Sequence, residues 1–161
     1  MGKVTIGVLQ VVIALAVLGS VAVQALIVPA LWLDLAEEEL WGRIAFVGII
    51  VLGILTMQVF AVSVWMLLTK VRRGSIFSAS SFRWVNAIIA AFATAAVLAL
   101  ALAILLAPGS MAPGIVGLIC GASLVLGGIA LLVVVMKALL RQAIAREDEA
   151  RALRSELGEV I

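Results

Sequence analysis

The sequence predicts an all-α, polytopic membrane protein with four transmembrane helices, and three observations carry that prediction. Of its 161 residues, 66% are hydrophobic and 12% charged, with a mean hydropathy of +1.35, so the chain lacks the polar surface that a water-soluble globule needs. Its charges are confined to a few places: 30 uncharged residues separate Lys3 from Asp34, 26 separate Arg43 from Lys70, and 53 separate Arg83 from Lys137. A helix needs about 20 residues to cross a hydrocarbon core about 30 Å thick. The longest interval is broken by Pro108, Gly109, Pro113 and Gly114, backbone that does not continue a helix, so it holds two spans and the chain holds four. These runs are apolar on every face, which excludes the alternating strands of a membrane barrel and leaves helices as the way to satisfy the backbone in lipid.

Taken in order, the spans fall at 5–31, 44–68, 84–106 and 115–136, within a membrane domain of residues 1–136. An outer loop at 32–43, an inner loop at 69–83 and an outer hairpin at 107–114 connect them, and 137–161 form a tail. The first span is far longer than the core of a secretory signal, about 7–15 residues, and is expected to be retained. Ile6 stands where a myristoylation signal would need Ser or Thr, so no lipid anchor is expected at the N-terminus. Orientation follows from the cations: Lys3, Lys70, Arg72, Arg73, Arg83, Lys137, Arg141, Arg146, Arg151 and Arg154 share one side when both termini lie on it, leaving Arg43 alone opposite. By the positive-inside rule both termini are cytoplasmic, as in a multi-pass protein of a bacterial inner membrane. The outer loop sets Asp34, Glu37, Glu38 and Glu39 against Arg43, a net charge of −3, which suits an ordinary solvated loop better than a cation site. Trp32 and Trp41 flank it, and Trp65 and Trp84 flank the inner loop, the positions at which amphipathic rings anchor a membrane protein.

Much chemistry is excluded. The chain has no His and the single cysteine Cys120, which argues against zinc, copper or haem ligation and against an internal disulfide or dithiol relay, so no metal and no cofactor is expected. No Asp, Glu, Lys or Arg falls within a span, so the intramembrane carboxylate of a proton-coupled exporter is missing. The polar residues of the spans are Gln10, Ser20, Gln24, Thr56, Gln58, Ser63, Thr94 and Ser123. Gln10 and Gln24 lie within roughly 40° of one helix face at about 100° per residue. They suit interhelical hydrogen bonding, at roughly 0.6–2 kcal/mol each, better than they suit a polar pathway.

Small residues mark where helices approach. Ala87, Ala91, Ala95, Ala99 and Ala103 recur every four positions in the third span, and Gly114, Gly117, Gly121 and Gly128 lie in or beside the fourth. The link between these spans is too short for anything but an antiparallel hairpin. Ala91, Ala95 and Ala99 are therefore expected to face Gly117 and Gly121, the small-xxx-small arrangement that lets backbones come close. A leucine at Ala95 or Gly121 is expected to lower detergent-state melting; the same stripe serving a homo-oligomer is the alternative.

The inner loop spells a helix stop, a turn and a restart. Lys70, Arg72 and Arg73 place cations at the negative end of the second helix, and Gly74 is the residue type that closes a helix. Ser78 suits an N-cap, with Phe77 and Phe82 at the spacing of a hydrophobic staple. Lys70, Arg72, Arg73 and Arg83 are also expected to contact lipid head groups or the tail, at up to about 1 kcal/mol per charge.

In Arg73, Gly74, Ser75, Ile76, Phe77 and Ser78, followed by Arg83, and in the closing Leu153, Glu156, Leu157, Glu159, Val160 and Ile161, the chain resembles the YoaS-like family of small bacterial four-helix membrane proteins, a domain of unknown function. Gly158 departs from the acidic residue common there. Such proteins are often encoded beside a small helix-turn-helix regulator of the Cro/CI type, so the resemblance implies a DNA-binding protein as a partner at the membrane.

The tail from Lys137 to Ile161 carries five basic and five acidic residues and is net neutral, unlike a nucleic-acid arm, so no direct nucleic-acid contact is expected. Leu139, Ala143, Ala150, Leu153, Leu157 and Val160 recur at intervals of three, four or seven, and Glu147 with Arg151 makes an i,i+4 pair, so the fourth helix is expected to continue as an amphipathic rod. The membrane surface, the inner loop or a second copy could cover its apolar stripe, as could a regulator docking as a helix in a groove. The partner-binding candidates are Arg151, Leu153, Arg154, Glu156, Leu157, Val160 and Ile161.

The leading expectation is a non-enzymatic membrane anchor or sensor that holds a cytoplasmic regulator through this tail. An oligomeric transporter or pore lined by Gln10, Gln24 and Gln58 is the alternative. A lipid-acting enzyme is disfavoured because no nucleophile–base pair or metal set is present to support one.

Overall fold

The computed structural model describes residues 3–37, 39–72, 79–109 and 111–159. It is all-helical among them: α1 (Lys3–Asp34), a short 3-10 turn (Leu35–Glu37), α2 (Leu40–Arg72), α3 (Ala79–Leu106) and α4 (Pro113–Glu159). Each of the four α-helices is long and apolar enough to cross a membrane, and every one outruns the span expected of it. Charged residues that mark the edge of a hydrophobic run do not end a helix, whose backbone is satisfied internally whether its side chains meet lipid or water.

Helix ends follow the breakers. After Leu106 the chain turns on hydrogen bonds from the Ala107 amide to the Ala103 carbonyl (3.0 Å) and from the Gly109 amide to the Leu106 carbonyl (3.2 Å). Pro113, expected to interrupt the run, instead opens α4, since the first helical position has no use for an amide proton and favours the fixed φ of proline. Inside α1, Pro29 withholds one rung of the helical ladder near its end. α3 begins at Ala79, directly after the proposed cap Ser78. Arg73, Gly74, Phe77 and Ser78 themselves, like Glu38, Val160 and Ile161, lie outside the described residues.

Packing runs between neighbours in sequence: α3 lies most extensively against α4, α2 against α3, and α1 less closely against α2. The helices thus form a curved antiparallel row with α2 and α3 in the middle, not a closed bundle. On one side the row bends around an apolar groove of about 480 Å³ that takes residues from all four helices, among them Ser20, Ile50, Gly53, Ala99 and Leu126. Little of the described chain is fully buried. The core residues are Val47, Ile88, Ala91, Ala103 and Ala130, with Ser63 and Ser123 among them, and such small side chains suit helices that associate in lipid by close approach rather than by hydrophobic exclusion. Phe60 of α2 meets Phe92 of α3 edge to face, 5.1 Å between ring centroids. Large apolar side chains such as Leu118 and Leu124 face outward along the helices, toward lipid.

One expected contact is corrected. Gly117 and Gly121 are exposed, and a Cβ added at either would meet nothing within 4 Å. α4 turns Ser123, Gly127 and Ala130 inward instead: the Ser123 hydroxyl donates to the Ala96 carbonyl of α3 (2.8 Å), and a Cβ on Gly127 would lie 4.0 Å from that of Ala96. Two residues at about 100° each place Ser123 on the far side of α4 from Gly121, so the helix can present one stripe or the other, not both. On α3, Ala91 is buried, whereas Ala95 and Ala99 line the groove beside α2 with no Gly117 or Gly121 among its lining.

Candidate functional site

Three polar features stand out against the apolar row. Within the α1–α2 interface, the Gln58 side-chain amide donates to the Ser20 hydroxyl (3.1 Å) and to the Gln24 carbonyl oxygen (2.9 Å). Ser20 donates in turn to the Val17 carbonyl of its own helix (2.8 Å). Two donors and several acceptors are thereby satisfied where lipid offers none, which makes this cluster a clasp between helices. Two of the three amides named as pore lining are consumed in it, and Gln10 is engaged as well. Three hydroxyls of α2 bond back to their own helix, Thr56 to Gly53, Ser63 to Val59 and Thr69 to Trp65.

At the end of the row opposite the termini, Arg43 of α2 is engaged with α1. Its guanidinium lies 3.9 Å from the centroid of the Trp32 ring and donates to the Trp32 carbonyl. That carbonyl belongs to the last turn of α1, where orphan acceptors and the helix dipole both favour a cation. The one cation of the acidic connection therefore serves as a helix cap.

At the opposite end lies the region to which the sequence assigns function. Moving ten residues back along α3 from Ala96 to Asn86 is matched by ten forward along α4 from Gly127 to Lys137, and four more on each helix bring Phe82 to Arg141. Contacts recur at every step of this register. Lys137 donates its ammonium protons to the Asn86 side-chain oxygen, and the Arg141 guanidinium sits 5.2 Å from the centroid of the Phe82 ring. Between them an apolar groove of about 560 Å³ is lined by Phe82, Val85, Val133, Met136, Leu140 and their neighbours, with Lys137 on its wall. None of these pairings was expected from the sequence. The signal lay in counting outward from the α3–α4 turn, which sets Asn86 and Lys137 at comparable distances on either side.

Beyond the groove α4 continues without interruption to Glu159. The expected pair forms, Arg151 to Glu147 at 2.5 Å. Arg151, Leu153 and Arg154 are exposed, as are Leu139, Ala143 and Ala150 of the same stripe, so among the described residues none buries it. Glu156 and Leu157 lie on the helix, and Val160 and Ile161 fall outside the described residues. Of the cations expected in the inner loop, Lys70 is half-buried at the end of α2 and engaged, Arg83 is exposed one residue beyond Phe82, Arg72 closes α2, and Arg73 falls outside the described residues.

Neither a curated protein nor a solved structure matches the chain. A family model does, over residues 6–161, so the clasp, the basic groove and the long fourth helix are to be read as parts of one domain: the chain belongs to the family described as proteins of unknown function, DUF2975.

Proposed function

We propose that this is a non-enzymatic membrane protein whose fourth helix carries a docking segment clear of the bilayer, anchoring a cytoplasmic helix-turn-helix regulator at the membrane and passing to it an envelope or lipid signal. The observation that carries this reading is the continuity of α4. It is a single helix of 47 residues, and at 1.5 Å per residue it is about 70 Å long, more than twice the thickness of the hydrocarbon core. The part beyond Met136 has no membrane to cross, and Leu139 and Leu153 stand exposed on it. An overhang held as a helix presents side chains at fixed spacing, as docking into a groove requires.

In this account both termini and the basic α2–α3 connection are cytoplasmic, which the charge bias of the ends supports. The regulator enters through the resemblance to the YoaS-like proteins, and Arg151, Leu153, Arg154, Glu156, Leu157, Val160 and Ile161 are its contact residues. Removing residues 151–161 leaves every membrane-crossing segment intact. The regulator encoded beside the gene should then move from the membrane to the soluble fraction; a regulator that stays with the membrane after this deletion would contradict the proposal.

A further inference from the structure

We propose that the groove between the start of α3 and the middle of α4 is a binding site for one anionic glycerophospholipid, with its phosphate held by Lys137 and Arg141 and an acyl chain laid against Val85, Val133 and Met136. The groove has both chemistries such a lipid needs. Its floor is apolar, and it runs along α4 from Val133 to Ala143, about 15 Å at 1.5 Å per residue. That length suits a head-group layer of roughly 5–8 Å together with the first acyl segment. Its position suits one too, because Lys137 is the first charged residue after the apolar run of α4 and Phe82 immediately precedes Arg83, so the groove straddles the boundary between hydrocarbon and head groups.

The charge of the site is uncompensated. Every carboxylate side chain of the protein lies at or before Glu39 or at or after Glu147, and the nearest on α4 is six residues beyond Arg141, about 9 Å along the axis. Lys137 is held by a neutral acceptor, the Asn86 carbonyl oxygen, which fixes its ammonium at the groove wall without cancelling its charge. Arg141 rests over the Phe82 ring, which orients the guanidinium while leaving its in-plane protons for a phosphate oxygen. Arg83 is exposed beside Phe82, and the first turn of α3 adds the positive end of its dipole. The site does not depend on the tail's partner, and losing either proposal leaves the other standing.

The full-length protein, reconstituted in nanodiscs of phosphatidylcholine containing one fifth phosphatidylglycerol and then released for native mass spectrometry, tests this. The wild type should retain phosphatidylglycerol over phosphatidylcholine by at least about fivefold relative to the disc composition, the factor expected of one cation at an anionic surface. Arg141→Gln, at an exposed position that leaves the Asn86 bond in place, should lower that preference severalfold. Lys137→Gln with Arg141→Gln should abolish it, while Lys137→Arg should keep it. Arg146→Gln removes a charge five residues further along α4 and should leave the preference unchanged. A wild type with no preference, or a tail variant that loses it as fully as the groove variant, would overturn the site; if the double variant fails to fold, unchanged preference in Arg141→Gln alone does so.

Discussion

Gln58 ties α2 to α1 through two residues of that helix, Ser20 and Gln24. Gln58→Leu keeps the volume of the side chain and removes both bonds, so it should destabilise the detergent-solubilised protein by roughly 0.6–2 kcal/mol, read as a lower melting temperature with helical content unchanged. Small residues sort in the same way. A leucine at Gly127 must fit where Ala96 already stands 4.0 Å from the added Cβ and should cost about 1–3 kcal/mol by overpacking. Gly121→Leu points into open surroundings and should leave melting unchanged, the opposite of what the sequence led us to expect. Both glycines look alike in the sequence, because a small-residue stripe states that some partner comes close and not which face meets it. The amides were legible in kind, since a side-chain amide in lipid needs a partner, but Ser20 as the second acceptor required the register of α1 on α2.

The elements were legible almost entirely, since hydrophobic run length and the Pro/Gly break leave little choice about helices in a bilayer. Less legible were their ends: the sequence stopped the first two spans at residues 31 and 68, short of the charges, whereas α1 runs on to Asp34 and α2 to Arg72. For α4 the continuation was expected from the spacing of Leu139, Ala143, Ala150 and Leu153, and the helix reaches Glu159. Its stability beyond the membrane rests on local terms. The exposed Glu147–Arg151 pair contributes about 0.3–0.5 kcal/mol, so Arg151→Ala should alter melting by less than can be resolved. Ala145→Pro is expected to act differently: it removes a rung and clashes with the preceding turn, at about 3 kcal/mol, and should unravel the tail, seen as lost ellipticity and faster tryptic cleavage at Arg146 and Arg151, with the membrane helices still protected.

For the whole molecule, the open row of helices is the feature the sequence concealed. Apolar residues on every face give no hydrophobic stripe from which to read neighbours, so four spans alone do not say whether they close into a bundle, and only the packing reveals that α1 and α4 are the ends of a row. The basic end gathers Lys70, Arg83, Lys137 and Arg141 around the α2–α3 connection, and the proposed orientation puts that end in the cytoplasm. Trypsin added to sealed vesicles should therefore cut at Arg146, Arg151 and Arg154 when the cytoplasmic face is outward and spare them when it is inward; the reverse pattern would invert the topology.

The account depends above all on α4 being one rigid helix from the membrane into the tail, and the chain supplies its own probe for that. Cys120 is the sole cysteine and lies within the membrane part of α4, so Arg151→Cys gives a pair of labelling sites on one helix. They are 31 residues apart by position, about 46 Å along a continuous helix, and pulsed electron–electron resonance between spin labels there should give one narrow distribution near that distance. A broad distribution, or one centred well below it, would mean that the tail folds back or unwinds at the membrane surface, and the docking rod would be refuted.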